Sequence, residues 1–295
     1  MAEFAPWFRV LGAVMVFVVA AIGSSWLVSR VGRKIKDMEA RTATPVVVIG
    51  LTANLVVLGI VLLMVVAQPS ASIGDLGIGL SELDVWAFLA VVLVIALTIG
   101  VFLVRLDRRP RTRVARVRSP ADAEPHDVTG AVLMVAVLVA VAAQEEVLFR
   151  GYVVVNLEHL GWIVTAAVSV VVFVAVHVLT NAVSTAQVIS WTAGGTLLVL
   201  AYLVSGSLWV AILIHLTMDL VNVVVLGIAG RYSLLEIDPT PTVRWRATFR
   251  IASSALSALV LIGIYGLHVA PSLDESSAPP HPPDAVSCPV CSSSR

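Results

Sequence analysis

The feature that most constrains this chain is a series of long apolar stretches separated by short connections. A helix needs about 20 consecutive, mostly apolar residues to cross the hydrocarbon core of a membrane. Stretches of this kind occur near residues 8–28, 45–67, 85–104, 130–155, 161–180, 184–204, 208–229 and 250–270. The sequence therefore predicts an all-α fold, a polytopic integral membrane bundle of about eight transmembrane helices.

The composition supports a membrane location. Of the 295 residues, 59% are hydrophobic and only 13% are charged, whereas a soluble globular domain carries about 25% charged residues. The formal net charge is zero, so no overall basic bias points to nucleic acid. We therefore expect the lipid bilayer to surround the chain and no nucleic acid to be among its partners.

Lysine and arginine are concentrated in three of the predicted connections. These residues are Arg30, Arg33, Lys34, Lys36 and Arg41; Arg105, Arg108, Arg109, Arg111, Arg113, Arg116 and Arg118; and Arg231, Arg244, Arg246 and Arg250. With eight spans, all three connections fall on one side of the membrane, which the positive-inside rule makes cytoplasmic. We expect a multi-pass protein of the cell membrane with both termini outside, and the richness in Val, Ala and Arg favours a bacterial source.

The end of the chain has a different composition. Residues 271–295 are rich in Pro and Ser, and we predict that they are disordered. Cys288 and Cys291 form a single Cys-x-x-Cys pair there. Because a structural zinc site needs four ligands and the chain has no second cysteine pair, we expect an unimportant tail, or a simple disulfide if the tail is extracytoplasmic.

Ionisable side chains within the predicted spans are concentrated in one part of the chain. Each costs at least about 2.5–3.5 kcal/mol on insertion scales and marks a functional site by default. Between residues 128 and 230 they are Glu145, Glu146, Arg150, Glu158, His159, His177, His215 and Asp219. Glu158 and His159 fall in a short predicted loop, so the others define the candidate site.

The first group of these residues is Glu145-Glu146-Val-Leu-Phe-Arg150, in the fourth span. Glu146 and Arg150 are four residues apart and stand in the favourable order for an ion pair on one helix face. Glu145 lies about 100° further round the helix and has no partner within it. We therefore expect Glu145 to act as a general base on water, although the Glu146–Arg150 pair alone could be structural.

The second and third groups place histidines on two other spans. Phe173 and His177 are four residues apart, as are His215 and Asp219, and Asn222 follows one turn later. Two histidines and a carboxylate from separate helices can polarise a carbonyl group and a water molecule. A single buried histidine is more often structural, and Phe173 alone more often packs, but the crowding of these groups into four consecutive spans favours catalysis.

In this order, the three motifs resemble the CAAX protease and bacteriocin-processing family, also called the Abi family. The motifs stand as Glu145-Glu146-x-x-x-Arg150, Phe173-x-x-x-His177 and His215-x-x-x-Asp219. The resemblance covers about residues 130–230. It implies an α-helical intramembrane endopeptidase with a cavity reachable from the bilayer, acting on a membrane-associated peptide or protein.

This resemblance leads to a division of the chain into four regions. We predict an N-terminal three-helix membrane region with basic cytoplasmic loops (1–128), a catalytic core (129–230), a basic loop with the last transmembrane helix (231–270) and the disordered tail (271–295).

The resemblance also implies roles for individual residues. Glu145 and His177 activate water, while His215 and Asp219 stabilise the oxyanion. Because an ionised carboxylate only accepts hydrogen bonds, Asp219 is either protonated or orients His215, and we prefer the second arrangement. The expected catalytic residues are Glu145, Glu146, His177, His215 and Asp219, with structural support from Arg150, Phe173 and Asn222.

No cofactor is expected. Glutamate and histidine side chains can hold zinc with an open position, but the His-Glu-x-x-His pattern is absent and a carboxylate base needs no ion. The alternative function is a non-proteolytic membrane scaffold or a bacteriocin-immunity protein of the same fold. A transporter is a third class, but its usual paired broken helices and internal repeat are not seen.

Overall fold

The computed structural model describes residues 5–35, 43–67, 73–108, 113–117, 125–181, 183–225, 235–238 and 242–275. Its α-helices are α1 (Ala5–Ile35), α2 (Ala43–Val66), α3 (Glu82–Asp107), α4 (Pro125–Glu146), α5 (Val153–Leu157), α6 (Trp162–Thr180), α7 (Thr185–Ser205), α8 (Leu208–Leu220) and α9 (Val243–Glu275). Short 3₁₀ turns lie at Ile73–Leu76 and Glu158–Leu160, and π-helical turns at Val147–Tyr152 and Val221–Val225.

Seven of the helical segments are long and apolar enough to cross a membrane. They are Pro6–Gly23, Val47–Val66, Glu82–Leu106, Thr129–Leu160, Trp162–Thr180, Thr185–Ser205 and Val243–Leu267. A shorter apolar helix, Leu208–Val223, corresponds to the seventh predicted span, whose last residues lie outside the described part of the chain. The prediction of an all-α, polytopic membrane bundle is confirmed.

Two of the basic connections are joined by a feature that the sequence did not predict. Arg113–Val117 (β1) and Leu235–Asp238 (β2) form a two-stranded antiparallel pair. Backbone pairing brings the connection after α3 and the connection before α9 to the same end of the bundle. The positive-inside argument also placed these two connections on one side of the membrane.

The last helix begins earlier and ends later than the sequence indicated. Arg244, Arg246 and Arg250 were assigned to a loop, but α9 already begins at Val243. Arginine is a good helix former, so the helix can include these basic residues and begin before the apolar stretch. At the other end α9 runs to Glu275, into the predicted tail; Cys288 and Cys291 lie outside the described residues.

The helices that carry the three motifs lie at the centre of the bundle. Helix α4 packs against α2 and α8, whereas α7 packs against α6, α8 and α9. One apolar cluster joins α1, α2, α5 and α6, and a second joins α3, α7, α8 and α9. Phe173 belongs to the first cluster, and Leu198 and Met218 belong to the second, so the candidate site lies where the two clusters meet.

A tight contact between backbones fixes the turn from α7 to α8. Gly206 ends α7 with φ +65°, and Gly77, before α3, has φ +66°. A Cβ atom at Gly77 would lie 1.9 Å from the carbonyl oxygen of Gly206, so only glycine fits there. The Leu208 N–H donates to the Gly77 carbonyl at 2.8 Å, which holds the start of α8 against the segment before α3.

A π-helical turn interrupts the fourth span directly after Glu145 and Glu146. Residues Val147–Tyr152 form it, and all of them are buried. The extra residue in such a turn disturbs the backbone hydrogen bonds, and π turns occur frequently at functional sites. Ser169 Oγ on α6 donates to the Phe149 carbonyl at 2.9 Å, which ties the π turn to the helix that carries His177.

Candidate active site

The three motifs meet around Glu145, which lies at the end of α4. Its Oε2 atom is 3.9 Å from His177 Nε2 on α6 and 3.8 Å from His215 Nε2 on α8. Residue spacing along separate helices does not fix the relative depths of these side chains. Packing of the three helices brings two imidazoles within 4 Å of one carboxylate oxygen.

Glu145 has the environment expected of a group that acts on a bound molecule. Its Oε2 atom is buried and has no hydrogen-bond partner. The residue lines a cavity of about 180 Å³, together with His177, His215, Asp219 and Arg250 among others. Because the carboxylate is not used in holding the helices together, it is available for chemistry in this cavity.

Glu146 and Arg150 form a fully buried ion pair. Arg150 Nη1 lies 3.1 Å from Glu146 Oε1, and both side chains have 0% exposure. The second guanidinium nitrogen of Arg150 donates to the Gly195 carbonyl at 3.1 Å, and its Cζ lies 4.7 Å from the centre of the Phe173 ring. Arg150 therefore links α4 to α6 and α7. Its spacing from Glu146 predicted only the ion pair along one helix.

His215 is oriented by Glu146. Its Nδ1 lies 2.7 Å from Glu146 Oε1, whereas its Nε2 lies 3.5 Å from Asp219 Oδ2. The sequence favours Asp219 for the orienting role, because an ionised carboxylate only accepts hydrogen bonds and cannot donate one to an oxyanion. The structure gives the short contact to Glu146 instead, since α4 and α8 pack side by side and Glu146 reaches the ring nitrogen directly.

His177 is held by its own helix and by two aromatic rings. Its Nδ1 lies 3.0 Å from the Phe173 carbonyl; because a carbonyl only accepts, Nδ1 carries the proton. Nε2 is then the nitrogen that faces Glu145. The imidazole is 4.3 Å from the Phe173 ring and 5.2 Å from the Trp191 ring, measured between centroids, and these contacts fix its position.

The carboxylates and the cationic groups in and beneath the cavity can neutralise one another. The carboxylates are Glu145, Glu146 and Asp219, and the guanidinium groups are Arg150 and Arg250. Arg250 Nη2 lies 3.9 Å from Asp219 Oδ1. A positive charge on His215, whose two ring nitrogens both face carboxylates, completes the balance that a low-dielectric site requires.

Three residues around the site were missed as functional residues. Arg250 was counted only as part of a basic connection, and Trp191 carried no motif that could have marked it. Gly195 likewise belongs to none of the three motifs. Its carbonyl accepts from Arg150, and a Cβ atom there would lie 3.1 Å from Cδ1 of Phe173, so glycine permits the close approach of both side chains.

Asn222 is a predicted supporting residue that the structure does not bring into this cavity. Its side-chain amide donates to the Met218 carbonyl at 2.7 Å. It lines a neighbouring cavity of about 280 Å³ that also contains Ser190, Arg246 and Arg250. Asn222 follows Asp219 by about one helical turn, but it does not enter the cavity that Asp219 lines, because it faces α9.

Within the described ranges, no group of three His, Cys, Asp or Glu side chains is arranged to hold a metal ion. The residues that converge are one carboxylate and two imidazoles, with contacts of 3.8–3.9 Å between their nearest atoms. This arrangement leaves room for a small molecule such as water to contact all three groups.

Substitutions at the adjacent glycines test the role of Gly195. A Cβ atom at Gly195 would meet the buried Phe173 ring at 3.1 Å, whereas one at Gly194 would meet Arg250 and Met218 at an ordinary 3.9 Å. Alanine also raises helix propensity by up to about 1 kcal/mol at either position. Because overpacking a core costs about 1–3 kcal/mol, we expect Gly195→Ala to be at least about 1 kcal/mol less stable than Gly194→Ala.

This difference is measured as the midpoint of unfolding in detergent. Gly194→Ala is the matched control, since it lies one residue away on the same helix. Equal midpoints for the two variants would show that Phe173 and Arg150 can move away from Gly195.

Comparison with known proteins adds one match. Residues 127–221 match the model of a family described as Rce1-like, type II CAAX prenyl endopeptidase. The matching segment is about a third of the 295 residues and contains all three motifs. No curated protein and no solved structure matches the chain. The resemblance to the CAAX protease family that the motifs predicted is thereby confirmed over this segment of a multi-pass membrane protein.

Proposed function

We propose that this protein is a membrane-embedded endopeptidase in which Glu145 and His177 activate a water molecule. The single observation that carries the proposal is the Glu145 Oε2 atom, which has no hydrogen-bond partner and lies within 4 Å of the Nε2 atoms of His177 and His215. The matched family is a family of proteases, which supports peptidase activity. The site lies among membrane-spanning helices, so the substrate is a membrane-associated peptide or protein.

The first step is attack by water on the peptide carbonyl. Water lies between Glu145 and His177 Nε2, and the Glu145 carboxylate takes one proton while the water oxygen bonds to the carbonyl carbon. A positioned general base contributes about 10²–10⁴-fold to such a step. Since Nδ1 of His177 donates to the Phe173 carbonyl, its Nε2 accepts a hydrogen bond from the same water and orients it.

The second step needs a donor for the negative charge on the carbonyl oxygen. His215 is that donor: its Nδ1–H is held by Glu146 at 2.7 Å, and its Nε2–H points into the cavity. Asp219 Oδ2 lies 3.5 Å from this nitrogen and favours a positive charge on the ring, because opposite charges attract. The C–N bond then breaks, and Glu145 returns its proton to the leaving nitrogen, which yields a carboxylic acid and an amine from one water. The acid passes its remaining proton to the amine, so the products are a carboxylate and an ammonium group.

We propose that this chemistry needs no metal ion. The carboxylate base takes the proton from water, and the imidazolium donor stabilises the negative charge on the carbonyl oxygen. The test is cleavage by purified protein in detergent or liposomes, with substrates chosen by comparing membrane proteomes of cells with and without the protein. We expect the cleavage rate to be unchanged by a strong chelator. Loss of cleavage on chelation, with recovery on adding zinc, would make Glu145 and His177 metal ligands instead.

His177→Ala is expected to lower the cleavage rate about 100-fold, because the water loses one of its two orienting partners. His159→Ala is the matched control, since His159 is exposed on the 3₁₀ turn after α5 and should leave the rate unchanged. If folded His177→Ala protein cleaves as fast as the wild type, His177 has no part in catalysis. If the wild type cleaves nothing, the scaffold or immunity function replaces the peptidase.

A further inference from the structure

A second cavity adjoins the catalytic one on the side of α1 and α2. Its volume is about 480 Å³, and Glu145 and His177 line both cavities. Sites for small ligands and peptide side chains commonly have about 300–1,000 Å³. The wall that α1 and α2 contribute contains the small residues Ala21, Gly50 and Ala53, together with Phe17 and Val57, so part of the space beside the reacting groups is lined by backbone and methyl groups.

Two amide side chains in this cavity form a hydrogen-bonded series with a fixed direction. Asn54 Nδ2 donates to the Gly50 carbonyl at 2.7 Å, and Gln144 Nε2 donates to Asn54 Oδ1 at 2.7 Å. Reversing either amide would place two oxygen atoms against each other, because the Gly50 carbonyl can only accept. The free end of the series is therefore the Oε1 atom of Gln144, an acceptor.

This acceptor has no hydrogen-bond partner in the part of the chain that the structure describes. Gln144 is only 5% exposed, and its Oε1 atom makes no hydrogen bond. Buried polar atoms are nearly always hydrogen-bonded, and each exception calls for an explanation. Gln144 directly precedes Glu145 and lines the same cavity, so a molecule that reaches the general base passes next to an unused acceptor.

We propose that this second cavity binds the substrate as an extended peptide segment and that Gln144 Oε1 accepts a hydrogen bond from one of its main-chain N–H groups. An extended peptide carries such a donor on every residue except proline, whatever its side chains. The small residues of the wall admit the peptide backbone and favour small apolar side chains. This inference rests on the proposed peptidase function and names how its substrate is held.

The first test fills the cavity. Ala53→Phe adds a ring to the wall, whereas Leu55→Phe adds a ring on the exposed face of the same helix, where Leu55 is 51% exposed. The probe is a fluorescent decapeptide of alanine and valine in detergent micelles, and the protein carries Glu145→Gln to prevent turnover. We expect Ala53→Phe to weaken binding about tenfold or more, since overpacking excludes the ligand, and Leu55→Phe to leave binding unchanged.

The second test identifies the hydrogen bond itself. Each peptide N–H of the decapeptide is replaced in turn by an ester oxygen, and binding is measured with Gln144 present and with Gln144→Met. We expect one ester position to weaken binding about 3–10-fold with Gln144, the value of one neutral hydrogen bond. That position should have no effect in Gln144→Met protein, which binds the parent peptide more weakly by the same factor.

Asn54→Leu is a second variant, which keeps Gln144 but removes the acceptor that directs its amide. We expect it to weaken binding of the parent peptide and to reduce the effect of the sensitive ester. If Gln144→Met does not fold, this variant alone decides. If each ester substitution weakens binding by the same factor in the protein with Asn54 and Gln144 and in the Gln144→Met and Asn54→Leu variants, the inference is overturned.

The outcomes separate the inference from the proposed function. If the wild type cleaves its substrate but no ester position has an effect that depends on Gln144, only the proposed hydrogen bond is overturned. Peptide binding that depends on Gln144, without cleavage by the wild type, overturns only the peptidase. A protein that neither binds nor cleaves peptides overturns both.

Discussion

Glu145→Gln is expected to lower the rate of proteolysis by about 10²–10⁴-fold, the contribution of a positioned general base. Glutamine has nearly the shape of glutamate but cannot take a proton from water at neutral pH. The Oε2 atom of Glu145 makes no hydrogen bond within the described residues, so the substitution breaks no hydrogen bond of that atom. The loss should therefore appear in kcat, and the unfolding midpoint in detergent, measured alongside, should show a folded protein.

Glu158→Gln is the matched control for this variant. Glu158 is exposed on the 3₁₀ turn that follows α5, and the same change in charge there should leave proteolysis at the wild-type rate. A Glu145→Gln protein that is folded and cleaves within threefold of the wild type would contradict the assignment of Glu145 as the base.

Arg150→Met is expected to produce the largest loss of stability. Removing one partner of a buried ion pair leaves the other charge unpaired and costs about 3–5 kcal/mol. Here the remaining charge is Glu146, at 0% exposure, which keeps only His215 as a partner, and the Gly195 carbonyl also loses its donor. We expect a free energy of unfolding lower by this amount, measured by denaturation in mixed micelles, because both contacts are absent from the variant.

A double variant separates stability from activity. Glu146→Gln combined with Arg150→Met removes both charges, so part of the lost stability should return. Proteolysis should stay low, because Glu146 also holds His215 Nδ1 at 2.7 Å and a neutral amide cannot hold an imidazolium as firmly. A single Arg150→Met variant as stable as the wild type would show that the pair does not hold α4, α6 and α7 together.

Much of the fold follows from local sequence. A single apolar stretch of span length satisfies its own backbone in a membrane as a helix, so eight helical stretches could be located without coordinates. That the seventh of them is shorter than the others in the described residues came from the structure. Contacts between side chains four residues apart in one helix can also be predicted from the sequence. The contact between Glu146 and Arg150 follows from helical spacing alone, and so does the isolation of Glu145 within its own helix.

Helix ends were predicted less well. The basic residues Arg244, Arg246 and Arg250 marked a connection by charge, yet they continue α9, because their long side chains are compatible with a helix. The pairing of β1 with β2 joins segments more than a hundred residues apart, and neither segment has a pattern that requires a partner.

Contacts between helices could not be derived from spacing, because they depend on how each helix is rotated and how far it is shifted along its neighbours. Spacing places Asp219 on the same helix face as His215, and the two lie 3.5 Å apart, but packing of α4 against α8 gives the shorter contact, 2.7 Å, to Glu146. Packing of α9 brings Arg250 to Asp219, and packing of α2 brings Asn54 to Gln144.

The sequence by itself thus determined that the chain is a helical membrane bundle and which residues carry its ionisable groups, because burial of an apolar helix and the cost of a charge in lipid are properties of single segments. Only the tertiary structure decided which partner each of these groups has. A shift of one residue along a helix rotates a side chain by about 100°, so the meeting of Glu145, His177 and His215 depends on the packing of three helices.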